Sequence, residues 1–420
     1  MTQTTVGATR ATSRAAAVRP LGPERWQEAY DLFMAALHVP PTTAERWEAV
    51  RGLYVADRVY GAFEGDDLVG TIMSSPQELT LPGGSNAPVA GVSVAGVRNG
   101  ATRRGHLDRM VRTQILDLAA RGEVFAALRP STAALWHRWG VGPATRTTTV
   151  RVDRLRSGVR RELADRRDRA RQLSPHSDLH EVLPPIHRRI AACRAGVVSR
   201  PDAWWACWDP YAGAPNQIHV AVAGPAAEPS GYVAWYVEYQ GGGDVAAARR
   251  VLHVLELFAD TPATALDLWA HLLHVELVEE IVATGRPLDE DVPLLLTDPR
   301  AATVGPVLDE LWLRIVDVPT ALALRPWAPT AGESVVVEVR DDLVESNAGC
   351  YRIGSDGARR VTAPPDLTCP VDQLAALYLG DRPPSRLAAA GRIAVHDAAS
   401  VARADRLFAT GPVPWAGTMF

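Results

Sequence analysis

Residues Val94–Met110 read VAGVRNGATRRGHLDRM. An apolar strand through Val97 gives way to a loop that holds Gly100, Gly105 and three arginines, Arg98, Arg103 and Arg104, and a helix follows at once. Amide N–H groups at a helix start have no carbonyl of their own, so with the helix dipole and nearby guanidinium groups they attract a phosphate. A pyrophosphate-bearing ligand fits such a turn, although the same composition also suits a loop that is merely solvated.

Outward from this turn the pattern is mixed. Upstream, RWQEAYDLFMAAL predicts a helix with Trp26, Ala29, Leu32, Phe33 and Leu37 on one face. VYGAFEGDDLVGTIM predicts a hairpin turning at Gly65, Asp66 and Asp67, and VAGVSVAGV predicts a further strand. Downstream, Leu107, Met110, Val111, Ile115 and Leu118 recur at helical spacing until Gly122, VFAAL returns as a strand, and Ser131 is expected to cap a short helix. Strands, then strand, helix, strand and helix, predict a mixed sheet with an α/β crossover.

At 420 residues the chain exceeds one ordinary core, so two to three domains are expected. Lys plus Arg total 44 against 48 acids, a net charge of −4, which argues against bulk electrostatic binding of nucleic acid. No uninterrupted apolar run approaches the roughly 18 residues of a membrane span. Residues 1–16 lack acids and are expected to form a disordered leader, and the cytoplasm is the expected compartment. Cys193, Cys207, Cys350 and Cys369 have no C-x-x-C spacing, which suits reduced thiols.

The arginine-rich stretch RVDRLRSGVRRELADRRDRARQL, from residue 151, interleaves Asp153, Glu162, Asp165 and Asp168, so a solvated connector helix is expected and a boundary falls near 155. The strands QIHVAVAG and SGYVAWYVEY precede a long predicted helix, ATALDLWAHLLHVELVEEIV. A last unit begins at LWLRIVDVPTALAL, continues through the strands ESVVVEVRD and GCYRIGSDGARRV, and closes on the helix ASVARADRLFA. HLLHVELVEE offers His271, His274 and Glu279, but the i, i+3 histidine pair has no third ligand at a familiar spacing, so no metal site is expected. Trp204, Trp205, Trp208 and Tyr211 form an aromatic cluster suited to core packing or to a cation cage.

The last residues, GPVPWAGTMF, carry no charged side chain. Burying them removes on the order of 2 kcal/mol of exposed apolar surface per large side chain, and brings a carboxylate with them that is costly unless used or paired.

Together the Val94 strand, the RRGHL turn, LWHRWGVGPAT, LWLRIVDVPTAL and the aromatic-apolar tail resemble the Eis-type branch of the GNAT acetyltransferases. The resemblance implies an α+β chain: tandem GNAT domains at 17–155 and 156–303, then a sterol-carrier-like domain at 304–420, assembled as a hexamer. It implies acetyl transfer from acetyl-CoA to a primary amine of a small, often cationic molecule. It places the pantetheine strand on Ala95, Gly96 and Val97, the pyrophosphate turn on Arg103, Arg104, Gly105 and His106, and a serine near the thioester on Ser131. It assigns the general base to the terminal carboxylate of Phe420, where desolvation raises a carboxyl pKa towards that of a usable base.

Two positions depart from the family pattern. The tyrosine that protonates the leaving thiolate is replaced by Trp136, whose indole N–H donates a hydrogen bond but yields no proton near neutral pH. A slow enzyme, a CoA-independent reaction of specialised metabolism on the same scaffold, or a non-catalytic binding protein would each accommodate that change. The second departure is Thr102, where the family's first basic residue of the turn would stand, so acetyl-CoA binding itself is open to loss.

Overall fold

The computed structural model describes residues 17–207, 217–241, 248–328, 330 and 332–419. The chain divides into two compact units: residues up to Ser75 together with Val92–Gln114, and Pro76–Gly91 together with Ile115–Phe420.

In the first unit, β1 (Ala17–Pro20) lies antiparallel to β2 (Val59–Glu64), which forms the predicted hairpin with β3 (Asp67–Thr80). Gly65 at the turn has φ +68°, the left-handed conformation that favours glycine. Between β1 and β2 lie α1 (Trp26–Ala36) and α2 (Ala44–Val50), the latter capped by the Thr43 hydroxyl, which accepts from the Arg46 amide. Ala29, Tyr30 and Leu32 are the buried stripe of α1. Tyr30, Trp47, Tyr54 and Trp26 form a chain of ring contacts 5.5–6.1 Å apart. Strand β4 (Asn86–Val97) supplies its second half to this unit and leads into α3 (His106–Ala120). A Cβ on Gly70 would lie 2.8 Å from Met110 Cε, so the missing side chain lets α3 pack close on β3.

In the second unit the first half of β4 runs parallel to β5 (Phe125–Leu128), the crossover expected from the sequence. Past a 3-10 turn come β6 (Val141–Pro143), β7 (Arg146–Asp153), β8 (Ala170–Gln172), the helices α4 (Leu179–Ala191) and α5 (Asp202–Cys207), then β9 (Ile218–Ala223), β10 (Gly231–Gln240), β11 (Arg249–Ala259), α6 (Pro262–Leu272) and β12 (Glu280–Arg286). Short strands β13 (Ala302–Val304) and β14 (Leu308–Asp309) pair with β7, and β15 (Trp312–Ile315) inserts antiparallel between β5 and β6. One sheet runs β13-β7-β12-β11-β10-β9-β8, and α6 links the parallel pair β11 and β12. Its core is built around Trp235, Leu252, Leu268, Trp269 and Ile281.

After α7 (Val318–Leu324) the chain forms β16 (Ser334–Arg340), β17 (Gly349–Gly354), β18 (Gly357–Val361), β19 (Leu367–Pro370), the helices α8 (Val371–Tyr378) and α9 (Pro384–Ala389), β20 (Ala394–Val395) and α10 (Ala398–Phe408). The sheet order is β18-β17-β16-β19-β20. Gly142 on β6 meets the carbonyl of Asp372 so closely that no Cβ fits between them.

Two expectations are corrected here. The helix predicted through Val282 stops at Leu272, capped by Leu273, and after a turn in which Leu277 has φ +62° residues from Glu280 form β12. The arginine-rich connector is a 3-10 helix, Arg161–Arg169, with no buried residue; Arg166 ties it to α6 through Asp267 at 2.6 Å. Among the described residues no helix is long and apolar enough to cross a membrane.

Candidate functional site

In the first unit, Val94 is the point where β4 departs from regular geometry. Its φ is +53°, unusual for any β-branched residue, and it precedes Ala95, Gly96 and Val97. Strain of this kind costs on the order of 1–3 kcal/mol and persists where the surroundings over-determine it. On the side of Gly96 where a Cβ would stand, the Ala36 Cβ and the Phe33 Cα would be only 3.3 Å away, so α1 closes that face of the strand.

Beyond β4 the chain makes a tight turn: the Ala101 amide donates to the Arg98 carbonyl, Arg103 has φ +62° and Gly105 φ +81°. The amides of Arg103 through Leu107 have no carbonyl partner among the described residues, and α3 begins at His106. This is the geometry in which consecutive N–H groups receive an anion. The basic side chains divide. Arg103 has no ionic partner among the described residues, whereas Arg104 Nη1 donates to both Glu64 oxygens at 2.9 Å and Nη2 to the Gly100 carbonyl. His106 is 2 % exposed, its Nε2 2.9 Å from the same Glu64, and those two hydrogen bonds hold the Glu64 carboxyl below its usual pKa. Arg104 and His106 therefore brace the turn, and its amides with Arg103 make up the donor set that fits a pyrophosphate.

In the second unit, Ser131 follows β5 but does not cap the next helix. Thr132 takes the N-cap position of the 3-10 helix Ala133–Trp139, without a side-chain bond. Trp136 on that helix is buried, edge-on to Trp139 at 5.4 Å. His137 Nδ1 lies 3.2 Å from Asp372, its ring 5.0 Å from Trp312. With 120° between neighbours on a 3-10 helix, His137 does not substitute for the residue at 136.

The tail is tied down residue by residue through Met419. The Trp415 amide donates to the Ala195 carbonyl and its indole to the Gly285 carbonyl. The amides of Ala416 and Gly417 donate to the two oxygens of Glu310 at 3.0 Å each, and Thr145 Oγ1 donates to Glu310 at 2.9 Å. Arg200 donates from Nη2 to the Gly417 carbonyl and from Nε to Thr418 Oγ1, while Arg129 reaches the Thr418 carbonyl at 3.4 Å. The Trp204 indole donates to the Met419 carbonyl at 2.6 Å. Phe420 lies outside the described residues.

Arg200 is itself fixed: Glu256 accepts two of its N–H groups at 2.7 and 3.1 Å, Tyr232 donates to Glu256, and the guanidinium lies 4.2 Å from the Trp204 ring. Trp204 and Trp205 are thus packed in the core; Trp208 and Tyr211 fall outside the described residues. The signal for Glu310 and Arg200 was present only as charges set in otherwise apolar runs, VLDELWLRI and VVSRPDAWW, which also hold Asp309, Arg314 and Asp202. Their partners in the tail lie more than 100 residues away, beyond the reach of local pattern. His271 borders a cavity of about 430 Å³ with His219 and His274, and among the described residues no three ligating side chains gather for a metal.

Residues 17–144 match an acetyltransferase (GNAT) domain model, residues 196–315 a second GNAT domain model, and residues 318–417 a sterol carrier protein domain model. The fold is two GNAT domains followed by a sterol carrier protein domain, and the chain is a GNAT-type acyltransferase. An uncharacterized N-acetyltransferase of Streptomyces avermitilis is 33% identical over 401 residues, covering 90% of this chain and 93% of its own. N-acetyltransferase Eis of Mycobacterium tuberculosis is 32% identical over 361 residues, covering 83% and 85%. The crystal structure of Eis1 from Mycobacterium abscessus superposes with a TM-score of 0.86 at 35% identity, covering 97% of this chain and 100% of that one. The chain belongs to the Eis family of N-acetyltransferases.

Proposed function

We propose that the protein transfers the acetyl group of acetyl-CoA to a primary amine of a small, cationic molecule. The observation that carries this reading is the turn after β4, where the amides of Arg103–Leu107, beside Arg103, have no backbone carbonyl partner among the described residues. Acetyl-CoA supplies the activated thioester. The amides and Arg103 would hold its pyrophosphate, and the backbone of Ala95, Gly96 and Val97 would pair with the pantetheine arm. Ser131 would lie near the thioester.

The terminal carboxylate of Phe420 would take the proton of the attacking amine. The amine nitrogen bonds to the thioester carbon, the C–S bond breaks, and the thiolate leaves to be protonated by water. Trp136 offers a hydrogen bond and no proton, so turnover is slow. A cytoplasmic homo-oligomer, a hexamer by likeness to the family, completes the proposal; light scattering tests the assembly.

Calorimetric titration with acetyl-CoA, followed by thiol release with a panel of amines, tests the reaction. Saturable heat and amine-dependent thiol are expected. Absence of heat at millimolar acetyl-CoA would overturn the reading, and a CoA-independent reaction on this scaffold would take its place.

A further inference from the structure

The described tail ends in hydrogen bonds to two buried charges that none of the proposed chemistry uses. Glu310 is 2 % exposed and lies just before β15. Burial pushes its carboxyl pKa up, against the pull of Arg129 and the Ala416 and Gly417 amides. A carboxylate in such a place is retained only if its lone pairs are met. Here each oxygen accepts one consecutive amide of the tail, so the Ala416–Gly417 peptide can sit in one orientation only. Gly417 has φ +63°, and a Cβ there would be 2.5 Å from the Trp415 ring and 2.7 Å from Phe258. The chain therefore turns at that residue.

Arg200 grips the opposite, acceptor side of the same turn. One edge of its guanidinium is neutralised by Glu256, its face lies on Trp204, and the Nε–Nη2 edge is left for the Gly417 carbonyl and the Thr418 hydroxyl. Donors and acceptors of the tail are thus met by opposite charges, a carboxylate for N–H and a guanidinium for C=O and O–H. A shift of the tail by one residue would put a carbonyl against Glu310 or an amide against Arg200.

We propose that Glu310 and Arg200 are positioning residues that set the register of residues 416–418 and so fix the course on which the chain reaches its last residue. This rests on the reading of the Phe420 carboxylate as base, and its test separates the two. Glu310→Gln keeps the shape but sets an NH₂ group against an amide N–H. Thr418→Val removes the hydroxyl held by Arg200 and serves if Glu310→Gln fails to fold.

Each variant is treated under native conditions with carboxypeptidase A, and loss of Phe420 and Met419 is followed by intact mass. Trimming at least tenfold faster than in the wild type is expected, with kcat for thiol release at least tenfold lower and KM for acetyl-CoA unchanged. A folded variant whose tail resists trimming like the wild type would overturn the clamp. Rapid trimming with unchanged kcat would keep the clamp and remove the terminal base. A rise in KM for acetyl-CoA at unchanged kcat would overturn the positioning role.

Discussion

In the proposed reaction Trp136 is the residue on which the rate turns. Replacing it by tyrosine restores a phenol where the family places its general acid, and general acid catalysis is typically worth 10²- to 10⁴-fold. Trp136→Tyr is expected to raise kcat at least tenfold, measured as thiol release under saturating acetyl-CoA; an unchanged rate would show that protonation of the thiolate does not limit turnover. Arg103 and Arg104 are neighbours with different work. Losing one charge-assisted bond costs about 1.5–3 kcal/mol. Arg103→Ala should weaken acetyl-CoA binding roughly 10- to 100-fold by calorimetry at unchanged melting temperature, and binding at the wild-type level would remove it from the donor set. Nothing local in the RRG run distinguishes the two arginines, because Glu64, which claims Arg104, lies 40 residues earlier.

Among the elements, the C-terminal helices depend on a buried cation that has no counter-ion among the described residues. Arg325, just after α7, donates to the carbonyls of Tyr378 and Phe408 at 2.8 Å and more loosely to Leu407 and Pro326, closing the ends of α8 and α10. Burial pulls its pKa down to about 10. A lysine presents its donors at one point and cannot span these carbonyls, so Arg325→Lys should cost about 2–4 kcal/mol, read from urea unfolding. A loss below the uncertainty of the midpoint would assign those carbonyls to water.

The elements with one clear period were legible: α1, the β2–β3 hairpin and α3 lie where apolar spacing put them. The stretch from His274 to Val282 was not, because HVELVEEIV satisfies both helical and strand spacing, and the left-handed Leu277 that decides the matter carries no glycine signature. Ser131 misled for a related reason: the residue after it, equally able to cap, takes the position.

For the whole molecule, acid stability depends on His187 in α4. It packs on Trp205 and Phe258, 5.7 and 4.9 Å between ring centres, and its buried Nε2 has no hydrogen-bond partner among the described residues. Burial, helped by Arg200, holds its pKa well below the usual 6.5. Above that value both folded and unfolded chains carry it neutral, and the full stability is present. As pH falls past 6.5 the unfolded chain takes up the proton first, so stability drops by about 1.4 kcal/mol per pH unit until the folded imidazole titrates. His187→Leu should therefore lose less stability than the wild type between pH 7.5 and 5.5, measured by urea midpoints; equal losses would place the acid sensitivity elsewhere. The order of the three domains was legible because the motifs that carry the family resemblance follow one another in order along the chain, while the hydrogen bonds that join Glu310 and Arg200 to the tail depend on distant pairings no motif records.

The grip on residues 415–419 also bears on how the protein can be produced. An affinity tag or fluorescent partner fused after Phe420 would turn the final acid into an ordinary peptide link, leaving a well-folded product with its proposed proton acceptor erased. If the proposed base is right, tags belong at the amino end, and a carboxyl-tagged preparation that looks inert in an assay would be reporting on its vector.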